Sequence, residues 1–354
     1  MAKRNVQIRI QGQVGYLTLD RPDALHALNM DMCADMLSAL RDWSASEDIR
    51  FVLLDHSDGT RGFCAGGDIR MLAESGAKDG QEAMAFFETE YRLNAAIFNF
   101  PKPFIAVMDG VTMGGGVGVS VHGSHRIATE KTLFAMPETG IGLFPDVGGG
   151  WFLPRLKGEL GTWLALTGAR LKGADVTAAG IATHYVPSER LAALKSELPA
   201  TDLPTGSVDQ LERIIAQFAE DVPDASFAPH LGVIDRCFCY DSAEDILEAL
   251  KSDPSDWARE QADVLSTKSP RTIKVALRQV REGKRFEMFE DNMRNEYRIA
   301  WRQVRSPDFL EGVRAIIIDK DHDPKWNPAT LDAVSNELID QVFAPMPDGK
   351  ELSF

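Results

Sequence analysis

Residues 51–70 read FVLLDHSDGTRGFCAGGDIR. The stretch opens on a nearly continuous apolar run, FVLLDH (51–56). It has the length of a strand and lacks the alternation of a strand with one wet face, so it reads as a strand buried on both faces. The glycine-containing loop RGFCAGGDIR (61–70) follows. Small residues there let another molecule approach the backbone. A helix beginning after Gly67 would present unbonded N–H groups, with Asp68 near its start, where a negative charge is favoured. Strand, glycine loop, helix is the repeating unit of an α/β fold. A plain strand-to-helix turn is the bland reading of the same residues.

The same grammar runs outward in both directions. Val6, Ile8 and Ile10 alternate with polar residues, Gly12 follows, and 14–20 reads as a second strand, so the chain opens with a hairpin closed off by Arg21-Pro22-Asp23. Asn29 can cap a helix that carries Met32, Met36, Leu37, Leu40 and Trp43 at helical spacing. Downstream, a helix is expected over 81–99 and a strand over 104–108. GVTMGGGVGVSVHG (110–123) is a second glycine-rich passage, and 125–138 holds two short strands. From about Ala200 the character changes. DLPTGS (202–207) reads as a boundary, and helices are expected over 208–220, 243–252, 257–266, 270–282, 286–305 and 329–342. The expected organisation is an α/β core, residues 1–200, followed by a helical C-terminal region, 201–354.

The formal net charge is −15. Such a surface repels nucleic acid and anionic lipid, so neither is an expected partner, and an anionic ligand must be held by local donors. Cys33, Cys64, Cys237 and Cys239 form neither a disulfide framework nor a metal-ligand spacing, which suits a reducing compartment. No run approaches the ~18 apolar residues of a membrane helix. MAKRNVQIRI enters a strand pattern by Val6, so no cleaved leader is expected, and the expected location is cytoplasmic. Asp319, Asp321 and Asp323 mimic the start of a calcium loop, but Pro324 and Thr330 stand where glycine and the bidentate acid are needed, so no metal site is expected. His122 and His125 lack the GxSxG of a serine hydrolase and read as structural.

The chemistry concentrates in MPETGIGLFPDVGGG (136–150). Between Lys131 and Arg155 the only charged side chains are Glu138 and Asp146. A carboxylate in apolar surroundings is held protonated to unusually high pH and can act as a general base or as a nucleophile toward an activated acyl group. The GIGLFP turn could fold both acids into one cleft. Alternatively Glu138 caps a helix and Asp146 pairs with Arg155. The loops around Gly66 and around Met113-Gly114-Gly115-Gly116 could each aim one N–H at a single oxygen and form an oxyanion hole. A phosphate cradle is the rival use, but neither GxxxxGK[ST] nor a clean GxGxxG supports it.

At these stretches the sequence resembles the crotonase (enoyl-CoA hydratase/isomerase) superfamily. FCAGGDI resembles its first oxyanion loop, MGGGVG its second, and 307–326 its C-terminal segment. Longer stretches, FFETEYRLN (86–94), FAMPETGIGLFPDVGGGWFLPRL (134–156) and LALTGARLKGADVTAAGIATHYVP (164–187), resemble the branch that hydrolyses short 3-hydroxyacyl-CoA thioesters. The resemblance implies a ββα spiral core with a helical C-terminal region. It implies that Ala65 and Gly115 N–H hold the thioester oxygen, with Gly66, Gly67, Gly114 and Asp68 lining the hole. Glu138 would be the main catalytic carboxylate, Asp146 would meet the substrate 3-hydroxyl or assist water, and Glu90 would line the acyl pocket. Coenzyme A would be part of the substrate, with no separate cofactor, and Arg21, Arg70 or Lys102 could meet its phosphates. A homo-oligomer is possible in this superfamily. Hydratases carry a glutamate at the position of Gly118; its absence points to hydrolysis. Hydration or isomerisation, and acyl-CoA binding without catalysis, are the competing readings.

Overall fold

The computed structural model describes residues 4–200 and 208–354. The expected boundary at 202–207 lies outside the described residues. The chain forms two compact units that do not follow chain order. The first comprises Met1–Gly67, Arg92–Phe134 and Leu171–Ser226; the second comprises Asp68–Tyr91, Ala135–Arg170 and Phe227–Phe354. The elements described after residue 200 are all helical, but neither unit begins or ends there: packing groups the segments differently from the expected division at 200.

Among the described residues the chain forms ten strands, all in the first unit except for Ala135 at the end of the eighth: β1 (Val6–Gln11), β2 (Val14–Leu19), β3 (Phe51–His56), β4 (Gly62–Cys64), β5 (Phe104–Met108), β6 (Val111–Met113), β7 (His125–Ala128), β8 (Leu133–Ala135), β9 (Leu171–Lys172) and β10 (His184–Tyr185). One sheet has the order β1-β2-β3-β5-β7-β10 and the other β4-β6-β8-β9. β1 and β2 form the expected antiparallel hairpin, and β2, β3, β5, β7 and β10 then pair in parallel. Every residue of β3 is buried, as its unbroken apolar run required. Its neighbours join it in a core of Val14, Tyr16, Phe51, Leu53, Ile105, Val107 and Ile127, covered by Leu211, Ile214 and Ile215 of the helix Val208–Phe218. Asn29 caps the helix Met30–Ala45, accepting from Met32 N–H at 2.9 Å, and that helix buries Met32, Met36, Leu37, Leu40 and Trp43.

The second unit is helical. Ala243–Ser252, Asp256–Ser266 and Pro270–Gly283 fall within a residue of the expected spans. Two expectations are corrected. The helix expected from Phe286 starts at Phe289 and ends at Gln303, with the Phe286 carbonyl accepting from Arg155 Nη2 at 2.8 Å. The helix expected over 329–342 is broken: a turn of 3₁₀ helix, Leu331–Ala333, precedes a helix Asn336–Phe343. Ser335 starts that helix by accepting from Leu338 N–H at 3.2 Å, so a local cap wins over a longer apolar periodicity.

Candidate active site

Both glycine loops begin in the first unit. β4 and β6 are parallel neighbours, with Gly62 opposite Val111 and Cys64 opposite Thr112. Their loops therefore leave at the same carboxyl edge, where open α/β sheets place ligands. The loops pack closely. A Cβ on Gly116 would lie 2.3 Å from the Cys64 carbonyl oxygen, and one on Gly66, at φ +122°, would lie 4.0 Å from the Gly115 nitrogen. Gly114 (φ 47°) turns the chain into the short helix Gly115–Gly118. Position 118 is a buried glycine on that helix and supplies no carboxylate.

The donor assigned to the first loop needs correction. Ala65 N–H donates to the Leu25 carbonyl at 3.0 Å, and Leu28 N–H donates to the Gly66 carbonyl at 2.7 Å, which ties the loop to residues 25–28. An N–H already bonded to a carbonyl is a poor oxyanion donor. Among the described residues the N–H groups of Gly67 and Gly115 make no hydrogen bond, which leaves them as the available donors. Lys102 is also occupied: its Nζ donates to the Trp43 and Ser46 carbonyls at 2.6 and 2.5 Å, closing the end of the helix 30–45. Arg21 Nη1 donates to the Ala27 carbonyl at 3.0 Å. Of the three cations considered for coenzyme A phosphates, Arg70 alone is uncommitted among the described residues.

The acids belong to the second unit. Asp68 caps the helix Ile69–Gly76 by accepting from Met71 N–H at 3.3 Å. Glu138 opens a 3₁₀ turn, Glu138–Ile141, that Gly142 ends at φ 73°. A Cβ on Gly142 would lie 2.2 Å from the Asp308 carbonyl oxygen. Thr139 Oγ1 donates to the Leu166 carbonyl at 3.1 Å, and the Thr139 carbonyl accepts from Ser269 N–H at 3.2 Å, so the turn is pinned. Glu138 is 4 % exposed, and its Oε2 has no partner among the described residues.

Asp146, 5 % exposed, accepts from the Tyr91 hydroxyl at 2.9 Å. It does not pair with Arg155, whose guanidinium donates to the Trp151 and Gly283 carbonyls and lies 3.5 Å over the Trp151 ring. Two further acids are buried near it. Glu90 is 2 % exposed with an unpartnered Oε1, and Glu296 is fully buried. Glu296 grips the glycine run after Asp146. Its Oε2 accepts from Gly148 N–H at 2.8 Å, and its Oε1 accepts from Gly150 N–H and Asn292 Nδ2, both at 2.9 Å, and from Gln279 Nε2 at 3.2 Å. Gln279 Nε2 also donates to the Pro145 carbonyl at 2.8 Å.

None of the four acids makes an ion pair among the described residues, so no cation offsets the effect of burial on them. Burial raises Glu138 well above the carboxylate range, and the charge of Asp146 raises it further. Glu90 is raised well above that range by burial and then by Asp146 and Glu296. Burial pushes Asp146 up to about 7 against the pull of the Tyr91 hydrogen bond, and pushes Glu296 up to about 8 against its backbone donors. Burial thus shifts all four acids toward the protonated form. Once ionised, such an acid can take a proton from water or attack an acyl carbon.

The sequence pattern named Glu138 and Asp146 and the resemblance added Glu90; the second unit brings these acids within electrostatic reach of one another. Sequence reasoning missed Tyr91, Gln279 and Glu296. The available signal for Glu296 was a polar stripe, Asn292, Glu296 and Gln303, at helical spacing on the helix 289–303; all three are buried.

Two mixed sheets feeding paired glycine loops, with a helical C-terminal region, define a protein of the crotonase fold. The family profile described as enoyl-CoA hydratase/isomerase matches residues 14–343, and the chain belongs to that family. Among curated relatives, the mitochondrial 3-hydroxyisobutyryl-CoA hydrolase of Danio rerio is 45 % identical over 342 residues, 95 % of this chain and 88 % of the relative. The protein of the same name from Homo sapiens is 44 % identical over 347 residues, 97 % of this chain and 89 % of the relative. Among solved structures, a carnitinyl-CoA dehydratase from Mycobacterium thermoresistibile superposes with a TM-score of 0.93 at 40 % identity, covering 99 % of each chain.

Proposed function

We propose that the chain is a thioester hydrolase that releases coenzyme A from 3-hydroxyisobutyryl-CoA, or a related short 3-hydroxyacyl-CoA, in valine breakdown. The curated relatives carry that activity in their names. The observation that carries the reading is the pair of buried acids Glu138 and Asp146, with no cation beside either among the described residues, in a chain that has glycine, not glutamate, at position 118. Hydration of a double bond by the usual two-glutamate route lacks its second acid here. The reading of hydration or isomerisation draws on the name of the solved relative, a dehydratase.

In this reading the Gly67 and Gly115 N–H groups stabilise the oxyanion that develops on the thioester oxygen; loss of one such donor typically lowers the rate ~10²–10³-fold. Glu138 supplies the oxygen nucleophile. It attacks the acyl carbon, a C–O bond forms, the C–S bond breaks, and the coenzyme A thiolate takes a proton; water then opens the mixed anhydride. The alternative is that Glu138 deprotonates the attacking water. Asp146 accepts from the substrate 3-hydroxyl or assists that water. Glu90, pushed toward its neutral form by burial and then by Asp146 and Glu296, lines the acyl pocket. Free thiols at all four cysteines suit a reducing compartment, and we place the protein in the cytoplasm.

The test is thiol release across a panel of short acyl-CoA esters, with and without a 3-hydroxyl. Hydroxylated esters should turn over fastest, and Glu138→Gln should abolish turnover. Hydration of crotonyl-CoA with no thiol release would overturn the reading. Single turnovers in ¹⁸O water test the covalent route: solvent oxygen in the Glu138 carboxylate reports an anhydride opened by water at the glutamyl carbon, which direct attack of water on the thioester cannot give.

A further inference from the structure

Glu296 takes no part in the scheme above, yet it is a fully buried acid with no cation beside it among the described residues. Burying such a group is unfavourable unless its hydrogen bonds are satisfied. Its carboxyl accepts four, two of them from the backbone on the C-terminal side of Asp146, while Gln279 holds the Pro145 carbonyl on the N-terminal side.

The clamped segment would not hold its shape unaided. Val147 sits at φ 52°, a region a β-branched residue avoids, and Gly148 follows at φ 89°. A run of three glycines has no intrinsic preference for such a path. The seat is also tight, since a Cβ on Gly150 would lie 2.4 Å from Asn292 Oδ1 and 3.0 Å from Gln279 Cγ. A glutamine at 296 could offer only one acceptor to two N–H donors. The carboxyl group is the side chain that satisfies both.

We propose that Glu296 is a positioning residue: by clamping Gly148 and Gly150 N–H, with Gln279 on the Pro145 carbonyl, it fixes the strained backbone that aims Asp146. The inference rests on the proposed role of Asp146 in thioester hydrolysis and assigns that role a support on the helix 289–303.

The test is a double-mutant cycle of Glu296→Gln with Asp146→Asn, read by thiol release from a 3-hydroxylated thioester. Glu296→Gln should lower kcat roughly 10–100-fold and leave KM within about threefold, as loss of a supporting contact does. It should also weaken discrimination between the ester with and the ester without the hydroxyl. In the Asp146→Asn background the same substitution should change kcat by less than about threefold, because the group it aims is already lost. Equal losses in both backgrounds, or an unchanged kcat for Glu296→Gln, overturn the inference. If Glu296→Gln does not fold, Gln279→Met takes its place in the cycle, with the same expectations. Wild-type protein that releases no thiol overturns the hydrolase reading and this inference with it. An active wild type with an additive cycle overturns the inference alone.

Discussion

The Tyr91 hydroxyl donates to Asp146 Oδ2 at 2.9 Å, and this bond opposes the burial that drives Asp146 up to about 7. Tyr91 remains a donor across the working range, because burial and the neighbouring acids hold its own hydroxyl well above the usual tyrosine range. The bond favours the ionised carboxylate, so its loss raises the pH at which Asp146 ionises. Tyr91→Phe should therefore shift the acidic limb of kcat/KM to higher pH. The rate should fall roughly five- to tenfold at pH 6.5 and within about twofold at pH 9. A uniform loss at all pH values would show that Tyr91 acts through packing alone.

Asp146 should also make the protein less stable as pH rises. In the unfolded chain it ionises near 3.8; in the fold it keeps its proton to about 7. Between those values the native state binds the extra proton, so the fold loses stability as pH climbs and the full penalty is present above about 7. The gap corresponds to on the order of 4 kcal/mol. Asp146→Asn removes the titration while keeping an acceptor for Tyr91. Its denaturation midpoint should exceed that of wild type at pH 8, with the advantage shrinking as pH falls toward 3.8. Parallel stability profiles for the two proteins would contradict the assignment.

The elements legible in the sequence are those whose signals are local. The hairpin 6–19, the Asn29 cap and the unbroken run of β3 each carry their instruction within a few residues. Glu138 and Asp146 were legible for a related reason: acids without bases in an apolar segment announce an unusual environment. What escaped depends on distant packing. Whether the Ala65 or the Gly67 N–H is available is decided by the Leu25 carbonyl, forty residues earlier in the chain. Glu296 was not singled out, because its partners, Gly148 and Gly150, lie far away in sequence. The broken helix after 329 shows the converse, a single serine cap outweighing an apolar pattern.

Val147 allows the backbone strain beside Asp146 to be weighed. Its side chain is 1 % exposed, so deleting it should cost ~2–3 kcal/mol of burial. Glycine accepts φ 52° freely, whereas a side chain there carries a strain of roughly 1–2 kcal/mol. Val147→Gly should therefore destabilise by only about 1 kcal/mol. Val280, equally buried in the helix 270–283, has no such strain to release, and glycine there adds a helix penalty of roughly 0.5–1 kcal/mol. Val280→Gly should cost at least about 2 kcal/mol more than Val147→Gly in chemical denaturation. Equal losses would mean that the loop is not strained at Val147.

Gly116 tests the paired loops independently of the acids. A methyl group there would meet the Cys64 carbonyl oxygen at 2.3 Å, well inside contact distance, and that oxygen is backbone that cannot swing away. The relief available is separation of the end of β4 from the helix 115–118, which moves the N–H groups of Gly67 and Gly115 apart. Gly116→Ala should lower kcat by ~10²-fold or more, the loss associated with one misplaced oxyanion donor, while KM changes much less. The melting temperature should fall by several degrees without loss of secondary structure. Gly232→Ala, where a methyl group would meet only Arg236 Nη1 at 3.4 Å, serves as the comparison and should lose far less rate. If both variants lose activity equally, the spacing of the two loops is not what sets the rate.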